Sequence, residues 1–372
     1  MHSARMETLT NRQLNRATLA RQMLLERSDA GVADTVGFLG GLQAQQSNDP
    51  YIALWSRLEG FTQDQLTALI VDRTLARATT MRGTLHLHTA DDLMGIRPLV
   101  GSFLKGMWNS NFRKRFGSED EKKVRRAGVK LLDAKAPMTA GTLGKALKEK
   151  FPTAEAQSLA VLLQVTETLV QVPPTRLWGN GSAPLLTRVE NWLPPPHERP
   201  LRRVDLVRRY LRAFGPASIN DMQTWCRLTR LSAEFEMLKD ELVTFRDEGG
   251  RTLYDYADAS RPDADTPAPV RFLPLYDNVY LGYDDRSRML TAGDTKRVNL
   301  LLAGFKPAVL VNGVIAATWS IEAKAGVARL VVEPYRKLRR ADVRGLEREG
   351  LAFLMFMDHT ADRYDVEVLK PS

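Results

Sequence analysis

The amino-acid sequence predicts an α+β fold of three tandem winged-helix units, each a group of helices followed by a β-hairpin, and a small C-terminal β-barrel-like domain. Helical periodicity gives way to a hairpin signal three times along the 372 residues. Beyond Arg261, prolines and short strand-like runs replace the helical pattern. We place the units at residues 1–118, 119–196 and 197–260, and the C-terminal domain at residues 261–372.

Four helices and one hairpin are predicted in the first unit. Apolar residues recur there at the 3.6-residue spacing of amphipathic helices. The helices begin near Asn11, Asp34, Pro50 and Thr62. Thr62 and Gln65 have the spacing of a capping box. Two β-prone runs, 76–80 and 84–89, flank Arg82-Gly83. Because glycine tolerates a tight turn, these runs predict a hairpin.

The same pattern recurs twice. In the second unit, helices 122–132, 143–150 and 154–170 are predicted to precede hairpin strands 169–172 and 185–189. In the third unit, helices 204–214, 219–228 and 233–242 are predicted to precede hairpin strands 242–246 and 252–256. Recurrence at similar spacing indicates an internal structural repeat.

The C-terminal domain is predicted to be rich in strands. They span residues 271–275, 279–283, 308–311, 314–320, 328–332 and 365–369. Asn312-Gly313 has the composition of a hairpin turn, and one amphipathic helix is predicted over 341–359.

The chain is basic, and its charge is uneven. It has 53 Lys and Arg residues against 44 Asp and Glu residues, a net charge of +9. Basic clusters lie within 97–130, 199–212 and 336–340, and the first includes Arg113, Lys114 and Arg115. Each cluster alone fits a solvated helix face. Together they favour a surface that follows the phosphates of a nucleic acid.

Composition also excludes several classes of protein. No apolar run approaches the roughly 20 residues of a membrane span, and no signal-peptide core is present. A single cysteine, Cys226, excludes a disulfide framework, and its place within a predicted helix favours buried packing. The histidines include one close pair, His86 and His88, without metal-ligand spacing. We therefore expect a soluble cytoplasmic protein without a metal or other cofactor.

The segment 40–50, GGLQAQQSNDP, is the candidate for chemistry. Gln43 and Gln45 lie at the end of a predicted helix, next to a glycine pair. If that helix ends at Ala44, the turn aims both amides into one cavity. The alternative is a polar helix end with solvated glutamines. Asp49 either caps the next helix or assists the amides.

Further motifs follow in order along the chain: MRGTLH at 81–86, FLPLYD at 272–277, LGYDDR at 281–286 and NGVIAATW at 312–319. With GLQAQ at 41–45, they make the chain resemble the AlkZ-like family of winged-helix crosslink-repair DNA glycosylases. That resemblance implies tandem winged helices, a C-terminal β-barrel and a catalytic Gln-apolar-Gln motif, which here is Gln43 and Gln45.

The resemblance also places the hairpin near the lesion in the DNA. Arg82 at its tip is then expected to contact a phosphate or enter a groove, with Thr84 beside it. His86 and His88 share one strand face and are expected to touch the DNA. The alternative is that one histidine packs against the helices.

Two amides are sufficient for the implied chemistry. Alkylation at N7 makes guanine cationic, so the base leaves without protonation by a strong acid. The protein has to place a water beneath C1′ and stabilise positive charge with oriented dipoles. A carboxamide oxygen accepts a hydrogen bond from that water and faces the cation.

The sequence thus predicts a monofunctional DNA glycosylase that excises bulky N7-alkylpurines and unhooks interstrand crosslinks in double-stranded DNA. Glutamine at both motif positions resembles the antibiotic self-resistance members of the family. The alternative is a winged-helix transcription regulator without chemistry. No long dimerisation helix is predicted, which favours a monomer over a dimeric operator reader.

Overall fold

The computed structural model of the protein describes residues 6–196, 200–291, 293, 294, 296, 306–324, 326–357 and 360–371. Arg199 of the second basic cluster, the start of the predicted third unit, and the end of predicted helix 341–359 lie outside the described residues. No helix in the described ranges has both the length and the apolar character needed to cross a bilayer.

The first segment contains six α-helices and four strands among the described residues. They are β1 (Thr8–Leu9), α1 (Asn11–Arg21), α2 (Val32–Phe38), β2 (Leu42–Gln43), α3 (Asp49–Trp55), α4 (Gln63–Val71), β3 (Leu75–Thr79), β4 (Leu85–Thr89), α5 (Ala90–Leu99) and α6 (Gly101–Asn111). The side-chain oxygen of Gln65 accepts a hydrogen bond from the backbone of Thr62 at 3.0 Å, which confirms the predicted helix start.

The second and third segments follow the predicted order of helices and strands. The second contains α7 (Glu121–Lys135), α8 (Ala140–Lys148), α9 (Ala156–Thr166), β5 (Leu169–Val172) and β6 (Leu185–Arg188). The third contains α10 (Arg203–Phe214), α11 (Ile219–Cys226), α12 (Ser232–Met237), β7 (Leu242–Asp247) and β8 (Thr252–Tyr256). Cys226 is fully buried, as its predicted packing role requires.

The predicted hairpins are parts of larger sheets. Strands β3 and β5 pair antiparallel, so the strand pairs of the first and second segments form one sheet of order β2-β4-β3-β5-β6. Strand β1 pairs parallel with β7, which joins the start of the described chain to the third segment. These pairings tie the three segments together, and their grouping into three winged-helix units stays a prediction.

The C-terminal part is a half-barrel. Its sheet has five strands among the described residues, where six were predicted. Its elements are β9 (Arg271–Phe272), α13 (Asn278–Leu281), β10 (Ala308–Val311), β11 (Val314–Lys324), β12 (Val327–Pro334), α14 (Arg340–Met357) and β13 (Arg363–Val368). The sheet order is β13-β12-β11-β10-β9. Phe353 of α14 stacks on Phe272 with ring centroids 5.1 Å apart, which packs the helix on the sheet.

One predicted strand of this part, 279–283, is wrong. Residues Asn278–Leu281 form a short helix instead. The carboxylate of Asp277 accepts a hydrogen bond from the backbone of Val279 at 3.1 Å and so caps the helix. The run 279–283 is composed mostly of β-prone residues, but the capping carboxylate favours a helix.

Two buried ion pairs fix the first segment against the rest of the chain. Arg57 binds Asp277 at 2.7 Å, with both side chains essentially inaccessible to solvent. Arg21 binds Asp255 at 2.7 Å in a similarly buried setting. Removing one partner of such a pair leaves a buried charge without compensation, which costs about 3–5 kcal/mol.

Candidate active site

The glutamine segment is a strand, not the end of a helix. Helix α2 ends at Phe38, and the chain then turns through Gly40 (φ 66°) and Gly41 (φ 99°). A Cβ on Gly41 would lie 2.4 Å from the His88 ring, so only glycine fits this turn. The expected helix through Leu42 is therefore wrong, because a glycine pair with left-handed backbone angles stops it.

The two glutamines differ in burial from Leu42 and Ala44, and they also differ from each other. Leu42 and Ala44 are buried in an apolar core cluster. Gln43 lies opposite His86 across the β2–β4 pair and is 7% exposed. Gln45, just beyond the strand, is exposed. The motif thus contains one buried amide and one accessible amide.

Arg82 folds back from the hairpin tip and holds Gln43. Its Nη2 donates to Oε1 of Gln43 at 2.8 Å and to Nε2 of His86 at 3.0 Å. Its Nη1 donates to the backbone oxygen of Trp225 at 2.6 Å. The guanidinium expected to contact a phosphate is instead engaged inside the protein, where it fixes the orientation of the Gln43 amide.

The two histidines lie inside the protein. Because a guanidinium only donates, Nε2 of His86 is the acceptor, and its Nδ1–H donates to the backbone oxygen of Thr84 at 3.1 Å. Nε2 of His88 lies 2.9 Å from the hydroxyl of Thr80, and the two rings stack at 5.6 Å.

Burial, followed by the positive charge of Arg82, holds the pKa of His86 well below its usual value. Burial also lowers the pKa of His88 to about 3. Both rings are neutral and 0% exposed, and their contact with DNA stays a prediction. His86 binds Arg82 and lies opposite Gln43, whereas His88 binds Thr80 and packs against the turn at Gly41.

Gln45 lines a cavity of about 300 Å³ between the first and second segments. Its polar lining consists of Gln45, Thr79, Thr84, Gln164 and Gln171. The other lining residues are apolar or glycine, and no charged side chain of the described chain lines it. Of the hairpin residues proposed for DNA binding, Thr84 is the one that reaches this cavity.

Buried groups fix the loop after Gln45. The carboxylate of Asp49 accepts a hydrogen bond from the backbone of Gln46 at 3.0 Å, and Arg77 donates to the backbone oxygen of Ser47 at 3.3 Å. Burial raises the pKa of Asp49 to about 7, against the opposing effects of the Gln46 hydrogen bond and the charge of Arg77. Asp49 therefore anchors the loop rather than capping α3 with its side chain.

Sequence reasoning missed Arg77, and it also missed Asn278, whose side-chain amide donates to the backbone oxygen of Gly41 at 3.0 Å. An arginine between two alanines of a β-prone run was the available signal for a buried role. No local signal pointed to Asn278, because it meets the glutamine segment from 237 residues away.

The predicted basic triplet lies apart from the cavity. Arg113, Lys114 and Arg115 are exposed on a short 3₁₀ turn, and the guanidinium of Arg113 lies 5.5 Å from the centre of the Phe116 ring. Helix α7 also exposes basic side chains beside a groove of about 990 Å³. Those lining the groove are Lys122, Arg125, Arg126 and Lys130.

The fold is an α+β arrangement of helices and small sheets, with one buried and one exposed glutamine beside a cavity. The model of the family described as DNA glycosylase AlkZ-like matches residues 36–356. The chain therefore belongs to the AlkZ-like DNA glycosylases, as its motifs predicted, and DNA is its substrate.

Two relatives agree with this assignment. An interstrand DNA cross-link repair glycosylase of Streptomyces sahachiroi is 25% identical over 358 residues, which cover 91% of this chain and 94% of that protein. The solved structure of the Streptomyces sahachiroi DNA glycosylase AlkZ matches with a TM-score of 0.76 at 21% identity, covering 97% of this chain and all of that one. The α+β architecture is thus shared along nearly the whole chain.

Proposed function

We propose that the protein is a monofunctional DNA glycosylase that hydrolyses the N-glycosidic bond of bulky N7-alkylpurines and unhooks interstrand crosslinks. The observation that carries the proposal is the asymmetric amide pair: Gln45 is accessible at an uncharged cavity, and Gln43 is held by Arg82. The name of the Streptomyces sahachiroi relative supports crosslink unhooking.

The two amides position the attacking water. A carbonyl oxygen has two lone pairs, so Oε1 of Gln43 accepts a second hydrogen bond while Arg82 holds it. The exposed Gln45 turns its amide oxygen to the same water and to the developing cation at C1′. No strong acid is required, because the alkylated base is already a good leaving group.

Exposed basic residues outside the cavity bind the phosphates of the duplex. Arg113, Lys114 and Arg115 lie on one surface turn, and α7 adds a second basic surface. Such residues contact phosphates without reading sequence. Binding is therefore expected to be weakly dependent on sequence and strongly dependent on salt.

The test is release of base from a duplex with one N7-alkylated guanine, with Gln43→Ala/Gln45→Ala beside the wild type. We expect excision by the wild type and loss of about 10²-fold or more in the double variant. Gln46→Ala is the matched control, since Gln46 is exposed and only its backbone is bonded to Asp49. Equal excision by the wild type and the double variant would disprove the catalytic assignment.

The range of substrates follows from the same assay. A panel of N7-methylguanine, bulky natural-product adducts and a nitrogen-mustard crosslink separates narrow from broad excision. We propose a self-resistance role, on the resemblance of the two-glutamine motif, and expect one bulky adduct to be excised far better than N7-methylguanine. Similar excision across the panel would contradict that role.

A further inference from the structure

The cavity beside Gln45 is built across the seam of two segments. Gln45, Thr79 and Thr84 come from the first segment, and Gln164 and Gln171 come from the second. Pairing of β3 with β5 holds the two walls together. Its volume of about 300 Å³ lies at the lower end of the range for ligand-binding pockets.

Gln171 brings a buried hydrogen-bond acceptor without a partner among the described residues to the wall of this cavity. It lies on β5 opposite Arg77 of β3 and is 7% exposed. Its Oε1 is buried and has no hydrogen-bond partner in the described part of the chain. A buried acceptor left unpaired costs free energy, so its presence at a cavity wall points to a ligand that donates a hydrogen bond.

The electrostatics of the cavity suit a cationic base. No Lys, Arg or His of the described residues lines it, and Arg77, which the strand pairing places opposite Gln171, is not part of its wall. Alkylation at N7 withdraws electrons from guanine and makes its N2 amino group a stronger donor. A hydrogen bond between that amino group and a buried amide oxygen is assisted by charge.

Groove geometry makes the fit specific. The N2 amino group of guanine lies in the minor groove, and N7 lies in the major groove. A protein that reads the N2 amino group therefore leaves a bulky N7 substituent on the opposite side of the base. The small cavity is thus compatible with large adducts, and the base need not be flipped fully out of the helix.

We propose that this cavity receives the minor-groove edge of the N7-alkylated guanine, and that Oε1 of Gln171 accepts a hydrogen bond from its N2 amino group. Gln171 is then a specificity-determining residue of the second segment, acting beside the amide pair of the first. This inference rests on the proposed glycosylase function.

The test pairs a change in the substrate with a change in the protein. One duplex carries N7-methylguanine, and the other carries N7-methylhypoxanthine, which lacks the N2 amino group. Each single-turnover excision rate is divided by the spontaneous depurination rate of the same duplex. The wild type is expected to prefer the guanine substrate about tenfold or more. Gln171→Met should abolish that preference, so that its corrected rates on the two substrates become equal.

Gln171→Asn is the second variant, because it keeps a polar side chain next to Arg77 and withdraws the carbonyl by one methylene. It should lose the preference as well, at an unchanged Tm. The inference is overturned if the wild type shows no preference, or if the variants keep it. If the wild type releases neither base, the proposed function itself fails, which is a distinguishable result.

Discussion

Gln43 and Gln45 are two residues apart, yet their side chains differ in burial and in hydrogen bonding. Gln43 is 7% exposed and receives a hydrogen bond from Arg82 at 2.8 Å, whereas Gln45 is exposed at the cavity wall. On the buried side, the amide is fixed by the guanidinium of Arg82, which also donates to His86. On the open side, the amide of Gln45 is exposed at the cavity wall, where we propose that it meets the substrate. The motif therefore combines one amide held in a fixed orientation, that of Gln43, with one accessible amide, that of Gln45.

The largest effect is expected from breaking the buried side. Arg82→Met removes the donor to Gln43, His86 and Trp225, so the Gln43 amide loses its fixed orientation. We expect excision to fall about 10²-fold. The free energy of unfolding should fall by about 2–4 kcal/mol. Single-turnover excision and denaturant unfolding measure these changes. Wild-type excision would show that Arg82 does not position Gln43.

A smaller loss is expected from the turn before the motif. Gly41→Ala places a Cβ 2.4 Å from the His88 ring at a φ of 99°, and should cost about 2–4 kcal/mol of stability. Gly60→Ala is the control, because Gly60 also has positive φ but no atom within 4 Å of the added Cβ. Its cost should be about 1 kcal/mol. Equal losses in thermal unfolding would contradict close packing at Gly41.

The stability contributed by the loop after Gln45 should depend on pH. The pKa of Asp49 is raised from 3.8 to about 7 in the folded protein, so the folded state binds the extra proton between those values. Stability attributable to this group is therefore highest at low pH and falls as pH rises towards 7. Asp49→Asn should flatten this dependence and gain stability relative to the wild type at pH 8. An unchanged pH profile of Tm in the variant would contradict the buried protonated carboxyl.

The smallest effect is expected at the exposed basic turn, whose residues do not line the cavity of Gln45. Arg115→Ala should weaken DNA binding about equally for all sequences and reduce the salt slope of log K by about one unit. Excision of bound substrate should stay unchanged. Binding isotherms at several salt concentrations measure the slope, and a loss of excision at saturating enzyme would place Arg115 nearer the chemistry than its position indicates.

Local patterns predicted a large part of this molecule. The hairpin around Arg82-Gly83 was readable because glycine and alternation act over a few residues, and the Thr62–Gln65 helix start was readable for the same reason. The motif itself was found by resemblance. Its strand conformation was not predicted, because that conformation depends on the burial of Leu42 and Ala44 in a core built from distant parts of the chain.

Tertiary contacts account for what the sequence could not show. Burial of His86 and His88 depends on the surrounding packing, and the shared sheet depends on β3 meeting β5. Gln171 reaches the site only through that pairing. A strand register between residues 94 positions apart, Arg77 and Gln171, leaves no trace in local periodicity.

The most direct measurement of the central claim compares Gln43→Ala with Gln45→Ala in two assays, single-turnover excision of an N7-alkylated guanine and thermal unfolding. Both variants should lose excision by about 10²-fold. Gln43→Ala should also lose about 1–3 kcal/mol of stability, because Arg82 is left with a buried donor, whereas Gln45→Ala should unfold like the wild type. Wild-type excision by Gln45→Ala would contradict the account.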